Sequence, residues 1–234
     1  MVFSTLEMQQ KSLYEEKRRN SIERFNSRFY PILSNLRTDA SNMEIIADHL
    51  SSKGIGTISS YKGEKAFKVA KSMINGIKKY LGNHSFKEFD KDEYETILHD
   101  YSEKIGYLYE NDPCPDDIDR VENERKEYIK TCQVPYLIDK WNITRGDRIK
   151  YQQTSSEERE NFLLNELVNH QSTTLSKYIQ SLRFILQIIR EMVFESEKKE
   201  YYYHVSCLIG KEELEFLRCF SEFNVITNIC NGQK

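Results

Sequence analysis

The sequence predicts an all-α fold, a multi-helix bundle of seven to nine helices with a small loop or β-hairpin insertion near residues 51–63. Three observations predict it. Apolar residues recur at helical spacing through long stretches of the chain. Four Pro and nine Gly in 234 residues leave few breaks between those stretches. Fifteen Tyr, twelve Phe and one Trp supply core bulk that a disordered chain lacks, although only 38% of the residues are apolar and 30% are charged. The length suits a single helical domain, 1–234, with a sub-boundary at 111–117 and an irregular connector at 132–155.

Residues 4–36 read as helix, with Ile22, Phe25, Phe29, Ile32, Leu33 and Leu36 on one stripe. Pro31 lacks a backbone donor, so a kink or break is expected near Phe29–Tyr30. Residues 39–50 read as a further helical stretch. Residues 51–63 alternate Gly, Ser, Thr and Ile, as a loop or short hairpin does. Helical spacing resumes over 64–81 through Phe67, Ala70, Ile74, Ile77 and Leu81. It appears again over 90–109 through Tyr94, Ile97, Leu98, Tyr101, Ile105 and Leu108. The segment NDPCPDD at 111–117 breaks the chain, and a charged helix follows from Ile118 to about Thr131. Thr154 and Ser155 ahead of Glu157 and Glu158 offer a capping box for a helix to about His170. Leu175–Phe194 keeps helical spacing for five turns. Glu195–Tyr203 starts another helix, and Gly210 separates it from a last one over residues 211–225.

Several function classes find no support in composition. Residues 1–20 have no apolar core of signal-peptide length, and the most apolar stretch, Leu182–Phe194, is interrupted by charge. A cytoplasmic chain without a membrane span is expected. The five cysteines include no CxxC pair and read as reduced thiols. No two of the five histidines lie within ten residues, and there is no HxxxH or HExxH, so neither a metal nor a cofactor is expected. His99 and Asp100 are adjacent, but adjacent helical side chains diverge by about 100°. No G-x-S-x-G marks a nucleophile.

Two features bear on nucleic acid. Residues 1–83 hold 14 basic against 8 acidic side chains, whereas 84–150 hold 11 against 17. Lys65, Lys68, Lys71, Lys78 and Lys79 share the polar side of one predicted helix and form the candidate polyanion-binding set, with a solvated face as the plainer reading. Pro115-Asp116 with Glu124 and Lys126 imitates a metal-nuclease signature, but Glu-x-Lys recurs at Glu15 and Glu197, as chance allows in so charged a chain. No Arg precedes a His at the spacing of HEPN-type ribonucleases; Lys199-x4-His204 is the nearest approach. No catalytic residue is identified, and an enzymatic role stays open.

Two distant blocks carry a family resemblance. One is Arg24-Phe-Asn-Ser-Arg-Phe-Tyr-Pro-Ile-Leu-Ser-Asn-Leu36, followed by Lys62-Gly-Glu-Lys-Ala-Phe67. The other begins at Leu175-Ser-Lys-Tyr-Ile-Gln-Ser-Leu182 and continues to Gly210-Lys-Glu-Glu-Leu-Glu-Phe-Leu217. Together they resemble the phage abortive infection protein family (the AbiC-like group). Phe25, Phe29, Tyr30, Leu33, Gly63, Glu64, Phe67, Tyr178, Leu182, Glu213 and Leu214 fall on its pattern. The chain departs from it at Lys62-Gly-Glu-Lys65, which lacks the family's Arg after Gly, at Ile179-Gln180 in place of Phe-Arg, and at Ser206-Cys207. The resemblance implies a bacterial antiphage role. The protein would bind a phage or host macromolecule, or arrest growth as an effector, alone or as a homo-oligomer. A nuclease acting on RNA or DNA is the alternative.

Overall fold

A computed structural model describes residues 2–51, 54–83, 88–111, 114–171 and 173–231. Asp112 and Pro113 of the expected breaker lie outside these. Among the described residues the protein is helical, with ten α-helices and one two-stranded antiparallel hairpin. The chain divides into two compact units interleaved in sequence. One comprises Met1–Met43, Lys62–Phe67 and Thr173–Lys234; the other comprises Glu44–Tyr61 and Lys68–Ser172.

The first unit is built on α1 (Val2–Ser41) packed against α7 (Thr173–Met192). The two stripes predicted from spacing meet here. Phe25, Phe29, Leu33 and Leu36 are buried on α1, and Leu175, Tyr178, Ile179, Leu182, Ile185 and Ile189 are buried on α7. Pro31 does not end α1. Pro31 and Ser27, whose carbonyl loses its donor, are both exposed, so water can satisfy that acceptor while Phe29 and Leu33 hold the turns on either side. Residues 8–20 of α1 are exposed throughout. Helix α8 (Glu195–Leu208) docks through Tyr201. The Tyr201 ring meets Phe25 edge-on at 4.7 Å and its hydroxyl donates to Asn26 Oδ1 at 2.9 Å. Tyr201 and Tyr202 are half-buried and Tyr203 is exposed, as consecutive helical positions require.

The last predicted helix is instead divided. Helix α9 (Lys211–Leu217) ends early, a 3-10 turn covers Ser221–Phe223, and α10 (Asn224–Asn231) follows. No Gly or Pro marks that break. Phe220 has extended backbone, and the change of direction buries Phe216, Phe220, Phe223 and Ile226 together. Tertiary packing overrides local propensity here.

The second unit carries the hairpin, β1 (Glu44–Ser51) and β2 (Gly54–Lys62). The helix expected over 39–50 is thus corrected: α1 stops at Ser41 and a strand begins at Glu44. Ile45 and Ala47 are buried while Ile46 between them is exposed, a period of two that suits β-branched residues. Helix α2 (Glu64–Gly82) follows, then α3 (Lys91–Glu110), which packs on α4 (Pro115–Lys140). Residues 132–155 are not irregular. They complete α4 and form α5 (Arg145–Gln153), because Thr144 and Asp147 make a reciprocal cap that starts a new helix four residues after the old one ends. Helix α4 docks on β1 through Gln133, whose amide accepts from Leu50 N–H at 3.0 Å and donates to the Asp48 carbonyl at 3.2 Å. One side chain thus substitutes for a neighbouring strand. Helix α6 (Ser156–Gln171) has the cap predicted for it. Ser155 Oγ accepts from Glu158 N–H at 3.3 Å, and Glu158 accepts from Ser155 N–H at 2.9 Å. The single Trp, Trp141, is buried and stacks on His170 at 5.8 Å.

Candidate functional site: a buried tyrosine and glutamate

The eleven positions that carry the family resemblance come from three separate stretches of sequence, and all eleven lie in the first unit. Eight serve packing or exposure. Phe25, Phe29, Leu33, Phe67 and Leu182 are buried core, Leu214 is half-buried, Tyr30 is half-exposed, and Gly63 makes the turn into α2. Gly63 has φ +56°, where an L side chain is strained, and its N–H donates to the Met43 carbonyl at 2.8 Å.

The remaining three are polar. Glu213 is 4% exposed, the only buried acid among the described residues. One of its carboxylate oxygens accepts from the hydroxyl of Tyr178, which is fully buried. The other accepts from the backbone N–H of Gly210 at 3.0 Å. Glu213 stands at the third position of α9, so its side chain reaches back over the helix start and satisfies a donor with no partner in the helix. Glu64 approaches from the start of α2: a Cβ placed on Gly210 would lie 3.7 Å from Glu64 Oε1 and 3.8 Å from Glu213 Oε2. Arg37 on α1 donates to the Leu208 carbonyl at 3.2 Å and is the nearby cation.

Burial pushes the Glu213 carboxyl above its ordinary value, and the bonds from Tyr178 and Gly210 and the charge of Arg37 restrain the rise. The Tyr178 hydroxyl is pushed far upward, first by burial and then by the carboxylate facing it. Tyr178 therefore stays protonated and donates. Such a pair is a brace: it ties α7 to α9 through a hydrogen bond to a charged group in a dry interior. Neither residue lines any of the four cavities found among the described residues. The resemblance that singled out Tyr178 and Glu213 carries no signal for Arg37, which reaches the pair only through the fold.

The candidate polyanion-binding lysines all lie on α2. Lys65, Lys68, Lys78 and Lys79 are exposed, and Lys71 is half-buried with an interaction of its own. None of the four cavities described is lined by any of the five. His99, Asp100 and Glu103 bring their ligand atoms within 4.8 Å of one another despite the divergence of adjacent positions, but all three are open to solvent. Among the described residues no helix is long and apolar enough to cross a membrane.

No family model, curated protein or solved structure matches the chain.

Proposed function

We propose that the chain is an antiphage defence protein of the abortive-infection kind, acting by binding a phage or host component or as a growth-arresting effector. What supports this reading is the coincidence of sequence pattern and place. The polar positions of the resemblance, Glu64, Tyr178 and Glu213, are 114 and 35 residues apart in sequence, yet all three surround the start of one helix. A pattern held only by chance has no reason to converge on one brace.

The arrangement favours binding over hydrolysis. A nuclease needs carboxylates or histidines facing an open cleft near cations. Here the one buried acid is tied to a tyrosine and a backbone amide, and the lysines of α2 border none of the cavities described above. Exposed aromatic side chains, Tyr107 and Tyr109 on α3 and Tyr14 on α1, are available to a macromolecular partner.

The test is expression of the intact chain in bacteria challenged with a phage panel. Fewer or smaller plaques, lost in Tyr178→Phe with Glu213→Ala, are expected. Unchanged plaque number and size across the panel would refute the proposal. Incubating the pure protein with tRNA, mRNA and plasmid, with and without Mg²⁺ or Mn²⁺, is expected to leave every substrate intact; cleavage would transfer the reading to a nuclease.

A further inference from the structure

We propose that the second unit holds a binding site for a small organic cation, an alkyl polyamine by class, in the cleft where α4 meets the segment entering α3. This goes beyond the defence reading and rests on different residues. Two cavities of about 290 and 250 Å³ adjoin there, sharing Glu88, Phe89 and Pro135 in their walls. Each is too small for a drug-sized molecule and suits a slender chain.

The chemistry of the lining selects the ligand. Three aromatic residues, Tyr80, Phe89 and Tyr128, line the smaller cavity. Aromatic faces carry negative quadrupole density and attract ammonium groups. The linings carry exposed carboxylates, Glu88, Asp90 and Glu93 in this cavity and Asp139 in its neighbour, with Arg145 the one Lys or Arg among them. Pro135 adds a backbone acceptor. It lies inside α4 and has no N–H, so the Thr131 carbonyl lacks its helical donor, and both residues line the smaller cavity.

Tyr94 backs the aromatic wall without lining either cavity. Tyr94 is 1% exposed, its ring stacks on Tyr128 at 6.0 Å and tilts on Phe89 at 5.6 Å, and its hydroxyl has no hydrogen-bond partner. Burial, helped by the neighbouring Cys132 of the cavity wall, raises that hydroxyl to about 12, so it remains a proton donor and acceptor without a mate. An anion is disfavoured by the carboxylates. A hard divalent ion needs converging oxygens and gains nothing from ring faces. An amine on an aliphatic chain uses rings, carboxylates and carbonyl together.

The experiment titrates the full chain with spermidine by calorimetry in about 0.15 M salt, where loose surface attraction is screened. Octane-1,8-diol and Mg²⁺ serve as the neutral and the non-organic comparisons. Saturable binding of one spermidine, with neither comparison binding, is expected. The double variant Glu88→Gln, Asp139→Asn changes two exposed side chains, so it keeps the wild-type melting profile, and it should weaken binding about tenfold. Phe89→Leu, which keeps bulk and removes the ring, should weaken it again. Absence of saturable heat, equal competition by Mg²⁺, or affinity unchanged in the double variant would each overturn the proposal.

Discussion

Replacing Tyr178 with Phe removes one oxygen from the interior of the first unit and leaves the ring in place. The Glu213 carboxylate, 4% exposed, then keeps only the Gly210 N–H at 3.0 Å. A hydrogen bond to a charged group contributes roughly 1.5–3 kcal/mol, and no water-accessible route replaces it here. The expected loss of stability at pH 8 is therefore about 2 kcal/mol. Its pH dependence carries the diagnostic. Burial places the folded-state value of Glu213 above the ordinary 4.5, so between those two values the folded protein binds a proton that the unfolded chain releases. Stability from this group is full below 4.5 and declines as pH rises through the folded value. Tyr178 restrains that decline by stabilising the charged form. Without its hydroxyl the folded value climbs further and the decline extends to higher pH, so Tyr178→Phe should cost only about 1 kcal/mol at pH 4, below the ordinary value, where the carboxyl is neutral. Urea unfolding followed by far-UV circular dichroism at the two pH values measures both numbers, with an unchanged denaturant slope as the control. An unmoved midpoint, or the same loss at pH 4 and pH 8, would refute the brace.

Two further outcomes are expected. Gly63→Ala should destabilise by about 1–2 kcal/mol from backbone strain alone, because φ is +56° while the added Cβ meets nothing closer than the Ser41 carbonyl at 3.8 Å; Gly63→Asn should lose less, and equal losses in the same urea assay would contradict the strain argument. Thr144→Ala should cost about 1 kcal/mol at pH 7 by uncapping α5, read from the emission of Trp141. Thr144 holds the Asp147 carboxyl below its ordinary 3.8, so this stabilisation is present above that value and lost as pH falls through the lower folded one; a variant as stable as the wild type at pH 7 would show the cap to be unimportant.

Much of the architecture was legible in the residues. The stripes around Phe25–Leu36 and Leu175–Ile189 are periodic over several turns, and each stripe has only one face to bury. The Ser155–Glu158 cap is a local bond, readable because its partners are three residues apart. The errors lie where a local signal was ambiguous or was overruled. Met43 to Leu50 is apolar enough for either periodicity in so short a run, and pairing with β2 decided for strand. Pro135 and Gly146 suggested an irregular connector over 132–155, but a proline that lines a cleft costs α4 one hydrogen bond, and Gly146 sits within a helix whose cap is strong.

The candidate site divides along the same line. The sequence by itself determined that the chain is helical and which faces of α1 and α7 are apolar. Those properties depend on spacing within a few turns, which the chain carries locally. Only the tertiary structure decided that Glu213 is buried and bonded to Tyr178, that Glu64 and Arg37 stand beside it, and that Phe89, Tyr128 and Glu88 share a cleft. Burial and the pairing of charges depend on which distant segments exclude water from one another, and no local spacing encodes that.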